Sequence, residues 1–182
     1  MCQSRSFNGE SILRLSTTAT HKALPRLSPV SVLFRPWKTL HLGECGSARE
    51  YRAAFAKNNF ALTSNSTKML SHVHGSMVAR EIAVYRQSVG SLGFLNAVQL
   101  MEIQERINEL GFMMCTPEIG PAARLQYTHQ PIGERLVVPM KPILGRMFVI
   151  ENDEGKMILA SSEALVGGYW IPEDEFLFQK QP

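Results

Sequence analysis

The chain has 182 residues, of which 45% are hydrophobic and 19% are charged, and its formal net charge is +3. This composition is typical of a globular protein, and no apolar run reaches the roughly 18 to 20 residues that a membrane-spanning helix needs. The positive charge is concentrated in residues 1–43, which hold six basic side chains and one acidic side chain, whereas the remainder has a small acidic excess. The basic overall balance therefore gives no support for a nucleic-acid-binding body, and we expect no nucleic-acid partner.

Residues 1–47 are predicted to be a basic, Ser- and Pro-containing disordered head, in which prolines recur at short intervals and prevent a long helix. Few acids with scattered Arg and Ser are typical of an organellar transit peptide. An unstructured basic tail and upstream sequence before a wrongly assigned start codon are the alternatives, and we favour these two. The three cysteines are isolated, which favours an intracellular protein. We therefore expect a cytoplasmic location, or a mitochondrial or other organellar one if the head is a transit peptide.

The body, residues 48–182, is predicted to be a single α+β domain. Its helical part covers residues 48–111, where apolar residues recur at threes and fours. Its β part covers residues 122–180, where apolar and polar residues alternate. Short strands joined by short loops predict a small antiparallel sheet, or an SH3-like or OB-like barrel.

The helical part is predicted to contain three amphipathic helices. The first covers residues 48–60 and the second residues 68–89. The third follows Asn96, a good N-cap with Gln at its third following position, and ends before Gly111. A glycine-containing turn joins the last two helices, which predicts an αα-hairpin. The exposed positions of the third helix carry three acids and one base, so a DNA-binding helix-turn-helix is disfavoured.

Five strands are predicted in the β part, from the alternation of apolar residues between turn signals. They cover residues 124–127, 135–140, 146–151, 156–161 and 175–179. The third and fourth strands flank an Asn-Asp-Glu-Gly turn, which is the clearest hairpin signal in the chain. No glycine-rich phosphate loop and no βαβ pattern is present in the sequence, so we expect no nucleotide cofactor.

The most polar region is the joint between the two parts, which we define as residues 115–135. Cys115 as a nucleophile and His129 as its base, with Glu118 or Glu134 orienting the imidazole, would make a small hydrolase or transferase. The alternative is that Cys115 is a small core residue and His129 a turn residue. We favour the alternative, because the Cys and His have no diagnostic spacing, and we lean against an enzyme.

The other polar residues of the joint are candidates for binding a partner, because loops stiffened by Pro and Gly often carry sites. These candidates are Arg124, Gln126, Gln130, Glu134 and Arg135. The sequence carries no catalytic or cofactor signature. Our hypothesis is therefore a non-catalytic protein-interaction module, whose partner is another protein that binds the joint and an exposed face or edge of the sheet.

We expect neither a metal nor another cofactor. His72 and His74 are two residues apart, which would place them on different sides of a helix, whereas a helical ligand pair needs a spacing of four. The cysteines and histidines show none of the spacings of zinc sites.

Overall fold

A computed structural model describes residues 34–164 and 168–181 of the chain. These residues form a mostly β structure: a curled, mixed sheet of eight strands, a small two-stranded sheet and four α-helices. The prediction of an α+β fold with an N-terminal αα-hairpin and an antiparallel sheet is therefore wrong. Residues 1–33, the larger part of the predicted head, lie outside the described residues.

The elements follow one another in a mixed order, without a helical half and a strand half. Up to residue 99 they are β1 (Lys38–Leu42), α1 (Ala48–Lys57), β2 (Ala61–Leu62), α2 (Ser64–Leu70), β3 (Arg80–Ser88), a 3₁₀ turn (Gly90–Leu92) and β4 (Val98–Gln99). Beyond it they are α3 (Leu100–Glu109), β5 (Phe112–Met113), α4 (Ile119–Gln126), β6 (Arg135–Ile143), β7 (Arg146–Asp153), β8 (Lys156–Glu163), β9 (Tyr169–Trp170) and β10 (Glu175–Lys180). Strand β1 lies within the predicted head, so the folded part begins before residue 47.

The large sheet has the strand order β1-β3-β10-β6-β7-β8-β2, and β5 adds to β10 beside this row. Strand β10 is antiparallel to β3 and parallel to β6, and β2 is parallel to β8. Strands β1 and β2 are the ends of the row, so the sheet forms a half-barrel and not the SH3-like or OB-like barrel that we expected. The last strand of the chain, β10, is central in the sheet.

The prediction of a helix over residues 68–89 is wrong for most of its length. Its start falls at the end of α2, but its last part is β3, which pairs with β1 on one side and β10 on the other. Neighbouring residues Val84 and Tyr85 are both buried, because the middle of this strand is covered on both faces. A strand buried on both faces has no alternating pattern, and its apolar residues can imitate helical spacing.

Two predicted helices are present. In α1, the Ser47 side chain and Glu50 form a capping box, and Tyr51 and Phe55 are buried. The third predicted helix is confirmed as α3, but its N-cap is Gln99 and not Asn96. Glycine 111 follows its C-terminus with φ +79°, a left-handed conformation that glycine adopts without strain.

Four of the five predicted strands are present as β6, β7, β8 and β10. The β7–β8 hairpin turns through Glu154 and Gly155, both with positive φ, as a two-residue hairpin loop requires. The predicted strand over residues 124–127 is wrong, because Arg124–Gln126 is the last turn of α4. Proline 121 fits in the first turn of this helix, where its missing N–H has no intrahelical partner to lose.

Helix α4 lies inside the curl of the sheet. It contacts β1 at one end of the strand order and β7 and β8 near the other. Close packing requires Gly120, since a Cβ at this position would lie 2.7 Å from Cδ2 of Phe148 on β7. The joint therefore contains the helix around which the sheet curls, which explains why six of the eight residues of α4 are buried.

Candidate functional site

A groove of about 710 Å³ lies between the N-terminal end of α3 and the chain that follows β5. It is lined by residues 99–101, Gln104, residues 113–117, residues 141–142 and Ala164. A second concave region of about 510 Å³ shares Gln104 and the two methionines 113 and 114, and continues along α3 to Asn108. The two regions adjoin at these shared residues, and the volume of each lies within the size range of natural binding pockets.

Helix α3 forms one wall because its capping and its buried stripe fix its orientation. The backbone N–H of Gln99 donates to the Glu102 carboxylate at 3.0 Å, which begins the helix. Ile103 and Ile107 are buried in the core. The opposite side of the first turn consequently faces outward, and Met101 is 63% exposed.

The other wall is the segment from Met113 to Pro117, which is held beside the end of β6. The N–H of Cys115 donates to the carbonyl of Pro139 at 2.7 Å, and Cys115 forms a parallel bridge with Met140. Strand β6 leaves its register with β7 between Val138 and Ile143. Two prolines lie in this stretch, and because proline has no backbone donor, they favour the irregularity that turns this end of β6 toward the groove.

Most of the groove's surface is apolar. Six of its lining residues are Leu100, Met101, Met113, Met114, Pro117 and Pro142. Methionine is unbranched and polarizable, so a Met-rich surface can adapt to differently shaped apolar groups. The groove is thus suited to bind large apolar side chains.

A small two-stranded ribbon, formed by β4 and β9, extends this apolar surface. Val98 pairs with Trp170, and Gln99, which lines the groove, pairs with Tyr169. Four large apolar side chains on or next to the ribbon are more than half exposed, namely Leu95, Met101, Tyr169 and Ile171. A cluster of exposed apolar residues beside a groove is typical of a protein-binding surface.

The predicted catalytic residues are not brought together. Cys115 lies at the floor of the groove but is only 4% exposed, and its thiol donates to the Leu177 carbonyl at 3.3 Å. Burial raises the pKa of the Cys115 thiol, which disfavours the thiolate that a nucleophile needs. His129 is exposed, and its Nδ1 lies 3.0 Å from the Thr128 hydroxyl. Within the described part of the chain no hydrogen bond joins His129 to Cys115, and the hydrolase interpretation stays a prediction.

Glu118, the carboxylate predicted to orient the imidazole, is buried and bonded to neighbouring parts of the fold. Its side chain is 7% exposed, accepts a 2.7 Å hydrogen bond from the Ser76 N–H and pairs with Arg80. It lies at the N-terminus of α4, where the helix dipole favours a negative charge. Glu118 therefore attaches the loop before β3 to α4.

Arg124 and Gln130, two predicted binding residues, form a buried hydrogen-bond network. The Arg124 guanidinium donates to Gln130 Oε1, to the Tyr127 carbonyl and, at 3.2 Å, to the Glu151 carbonyl. Gln130 Nε2 donates to the Ile150 carbonyl at 3.1 Å. Burial lowers the pKa of Arg124 to about 10, so the side chain is still charged at neutral pH. Both residues connect α4 to β7 and are closed to a partner.

Gln126 covers the edge of the sheet at β1. Its carboxamide accepts from the His41 N–H at 2.9 Å and donates to the His41 carbonyl at 2.7 Å. These are the two bonds that a residue of an added strand would make. The exposed edge, which we considered as a binding surface, is therefore blocked at this residue of β1.

Glu134 and Arg135, the last two predicted binding residues, form ion pairs around the start of β6. Glu134 pairs with Arg86 at 2.6 Å, and Arg86 also pairs with Glu175. Arg135 lies 3.9 Å from the Asp174 carboxylate. These pairs connect β6 to β3 and to the chain around the start of β10, so the predicted binding residues of the joint mainly hold the fold together.

Sequence reasoning missed most of the residues that line the groove, although Cys115 was among the predicted site residues. Met101, Met113 and Met114 are three of the nine methionines of the chain. The sequence did contain a signal for a binding surface at this place, because two of these methionines directly precede the joint. Nothing local in the sequence shows that α3 and the end of β6 leave a groove over these methionines.

Two further properties of the described residues concern metals and membranes. Residues 34–164 and 168–181 contain no group of three or more His, Cys, Asp or Glu side chains that could hold a metal ion. Among the same residues, no helix is long and apolar enough to cross a membrane.

No protein-family model matches the chain, and neither a curated protein nor a solved structure is significantly similar to it. The properties of the groove are therefore the basis on which a function can be argued.

Proposed function

We propose that this protein is a non-catalytic protein-interaction module that binds a peptide segment of a partner protein in the groove. The observations that carry this proposal are the Met-rich lining of the groove and the exposed apolar side chains on and near the ribbon, which adjoins the groove at Gln99. Contact with a partner would remove these side chains from water, at about 25 cal/mol per Å² of apolar surface.

A peptide fits this surface better than a compact small molecule does. The two adjoining concave regions run along α3 from Met101 to Asn108, and the ribbon adjoins them on the side of Gln99. A small molecule would fill the groove and leave Leu95 and Ile171 in water. An elongated segment with several large apolar side chains would cover both, in the manner of peptides that dock in hydrophobic grooves.

The proposal is tested by selecting binders from a random 12-residue peptide library displayed on phage, with the full-length protein immobilised. We expect the selected sequences to share large apolar residues. Met101→Asp should weaken their binding by about tenfold, because a charge in an apolar contact costs at least 1.4 kcal/mol. Met101 is exposed, so this change should leave the free energy of unfolding nearly unaltered.

Met77→Asp is the matched control, since Met77 is 87% exposed and does not line the groove. It should leave binding of the selected peptides within twofold of the wild-type value. Equal effects of the two substitutions would contradict the proposal. It would also be contradicted if no sequence were enriched on the wild-type protein relative to Met101→Asp.

A further inference from the structure

The groove has one charged residue in its lining, Lys141, at the C-terminal end of β6. Lys141 is exposed, and its ammonium has no ion-pair partner among the described residues. The other lining side chains are apolar or uncharged, including the amides of Gln99 and Gln104. A partner that fills the groove with apolar groups would therefore meet a single positive charge at its rim.

The acidic side chains of α3 lie outside the lining of the groove. Glu105 lies one helical turn after Met101 on α3, is exposed and has no ion pair within the described chain. The other acids of α3 are engaged, since Glu102 accepts from the Gln99 N–H and Glu109 pairs with Arg106 at 3.0 Å. The charge on the lining itself is consequently positive, at the end of β6, and Glu105 adds a negative charge one helical turn beyond Met101. This separation of charge gives a charged partner a preferred orientation.

We infer that the groove selects a peptide segment in which large apolar side chains flank one Asp or Glu, and that Lys141 pairs with this carboxylate. The inference rests on the proposed function and specifies its partner. The apolar side chains lie against Leu100 and the methionines, and the carboxylate lies on the β6 side of the groove. A basic residue at that place meets Lys141 and is rejected.

The charge contributes more to selectivity than to affinity. An ion pair between exposed side chains is worth only about 0.2 to 1 kcal/mol, which corresponds to a change in affinity of about 1.4-fold to fivefold. Like charges on residue 141 and on the facing peptide residue repel each other. Reversing the charge of residue 141 should therefore reverse the preference for the partner's charge.

The test applies the same phage library to the wild-type protein and to Lys141→Glu. Wild-type protein should select sequences with an Asp or Glu at a constant distance from the apolar residues. Lys141→Glu should select Lys or Arg at that position and keep the apolar residues. The displayed peptides have no free C-terminus, so the carboxylate must belong to a side chain.

Lys156→Glu is the matched control, because Lys156 is also exposed but lies in the β7–β8 hairpin, away from the groove. It should select the same acidic sequences as the wild-type protein. For one selected peptide, replacing its acidic residue by the corresponding amide should weaken binding to the wild-type protein about threefold. The same replacement should not weaken binding to Lys141→Glu.

Selection of identical acidic sequences by the wild-type protein and by Lys141→Glu would overturn the inference, and so would the lack of any charge preference. In both cases a continued loss of binding in Met101→Asp would leave the proposed function standing. If Met101→Asp had no effect on the selected peptides, the proposed function itself would fail.

Discussion

Two ionisable residues of the core, Tyr51 and Cys115, are buried, and burial raises the pKa of both. In the folded protein they stay protonated at a pH where the unfolded chain would release their protons. Their contribution to stability is therefore complete below about pH 9 and is lost as the pH rises above the unfolded pKa values of about 9 and 10. Burial of Arg124 has the opposite effect on the pH dependence of stability. It lowers the pKa of a cationic group, so this contribution to stability increases as the pH rises.

Tyr51→Phe isolates one of these contributions. Between pH 9 and pH 11 the free energy of unfolding of the wild-type protein should fall by about 1 kcal/mol more than that of Tyr51→Phe. Arg124 and Cys115 titrate in both proteins and cancel in the comparison. Urea unfolding measured at a series of pH values gives the two slopes, and equal slopes would show that the Tyr51 hydroxyl is not buried in the folded protein.

Gly120 determines how closely helix α4 packs on strand β7. A methyl group at this position would lie 2.7 Å from Cδ2 and 2.8 Å from Cβ of Phe148, so the helix or the strand would have to move. Gly120→Ala should lower the free energy of unfolding by about 1 to 3 kcal/mol, as overpacking of a core does.

The partner residue supplies the control for this effect. Phe148→Leu makes room beside Gly120, so the double variant should be less destabilised than the sum of the two single variants. Urea unfolding of the four proteins measures this coupling. Additive effects would mean that Gly120 and Phe148 do not share the close contact.

Elements whose signals are local were predictable from the sequence. Helix α1 begins with a capping box, and the β7–β8 hairpin has a two-residue turn with Gly155 at a positive φ. Strand β3 was missed because its partners are distant in sequence: Val84 pairs with Lys38, and Ser88 pairs with Glu175. Its periodicity predicted a helix, and only pairing on both sides makes it a strand.

At the scale of the whole molecule, the sheet curls around α4 and is completed by β10, the last strand of the chain. Strand β10 joins β3 to β6, so the parts before and after the joint form one sheet. The polar residues of the joint are used for this construction, with Arg124 and Gln130 as its buried network. A polar cluster in the sequence does not distinguish such a network from a binding site.

The groove also results from the whole fold, because its walls come from four separate stretches of the chain. Only Cys115, Thr116 and Pro117 belong to the predicted joint. The position of the groove depends on the irregular end of β6, which its two prolines favour, and on the orientation of α3, which has no local sequence signal. The interaction function that the sequence predicted stays a prediction, and the sequence did not indicate this groove as the place of binding.

Hydrogen–deuterium exchange of the full-length protein, with and without a selected peptide, tests most directly whether the groove is the binding site. Binding should slow amide exchange in residues 99–104 and 113–117, because the peptide excludes water from both walls. The β7–β8 hairpin, residues 146–163, should exchange at the same rate in both samples. Slower exchange in the hairpin with no change at either wall would contradict the account.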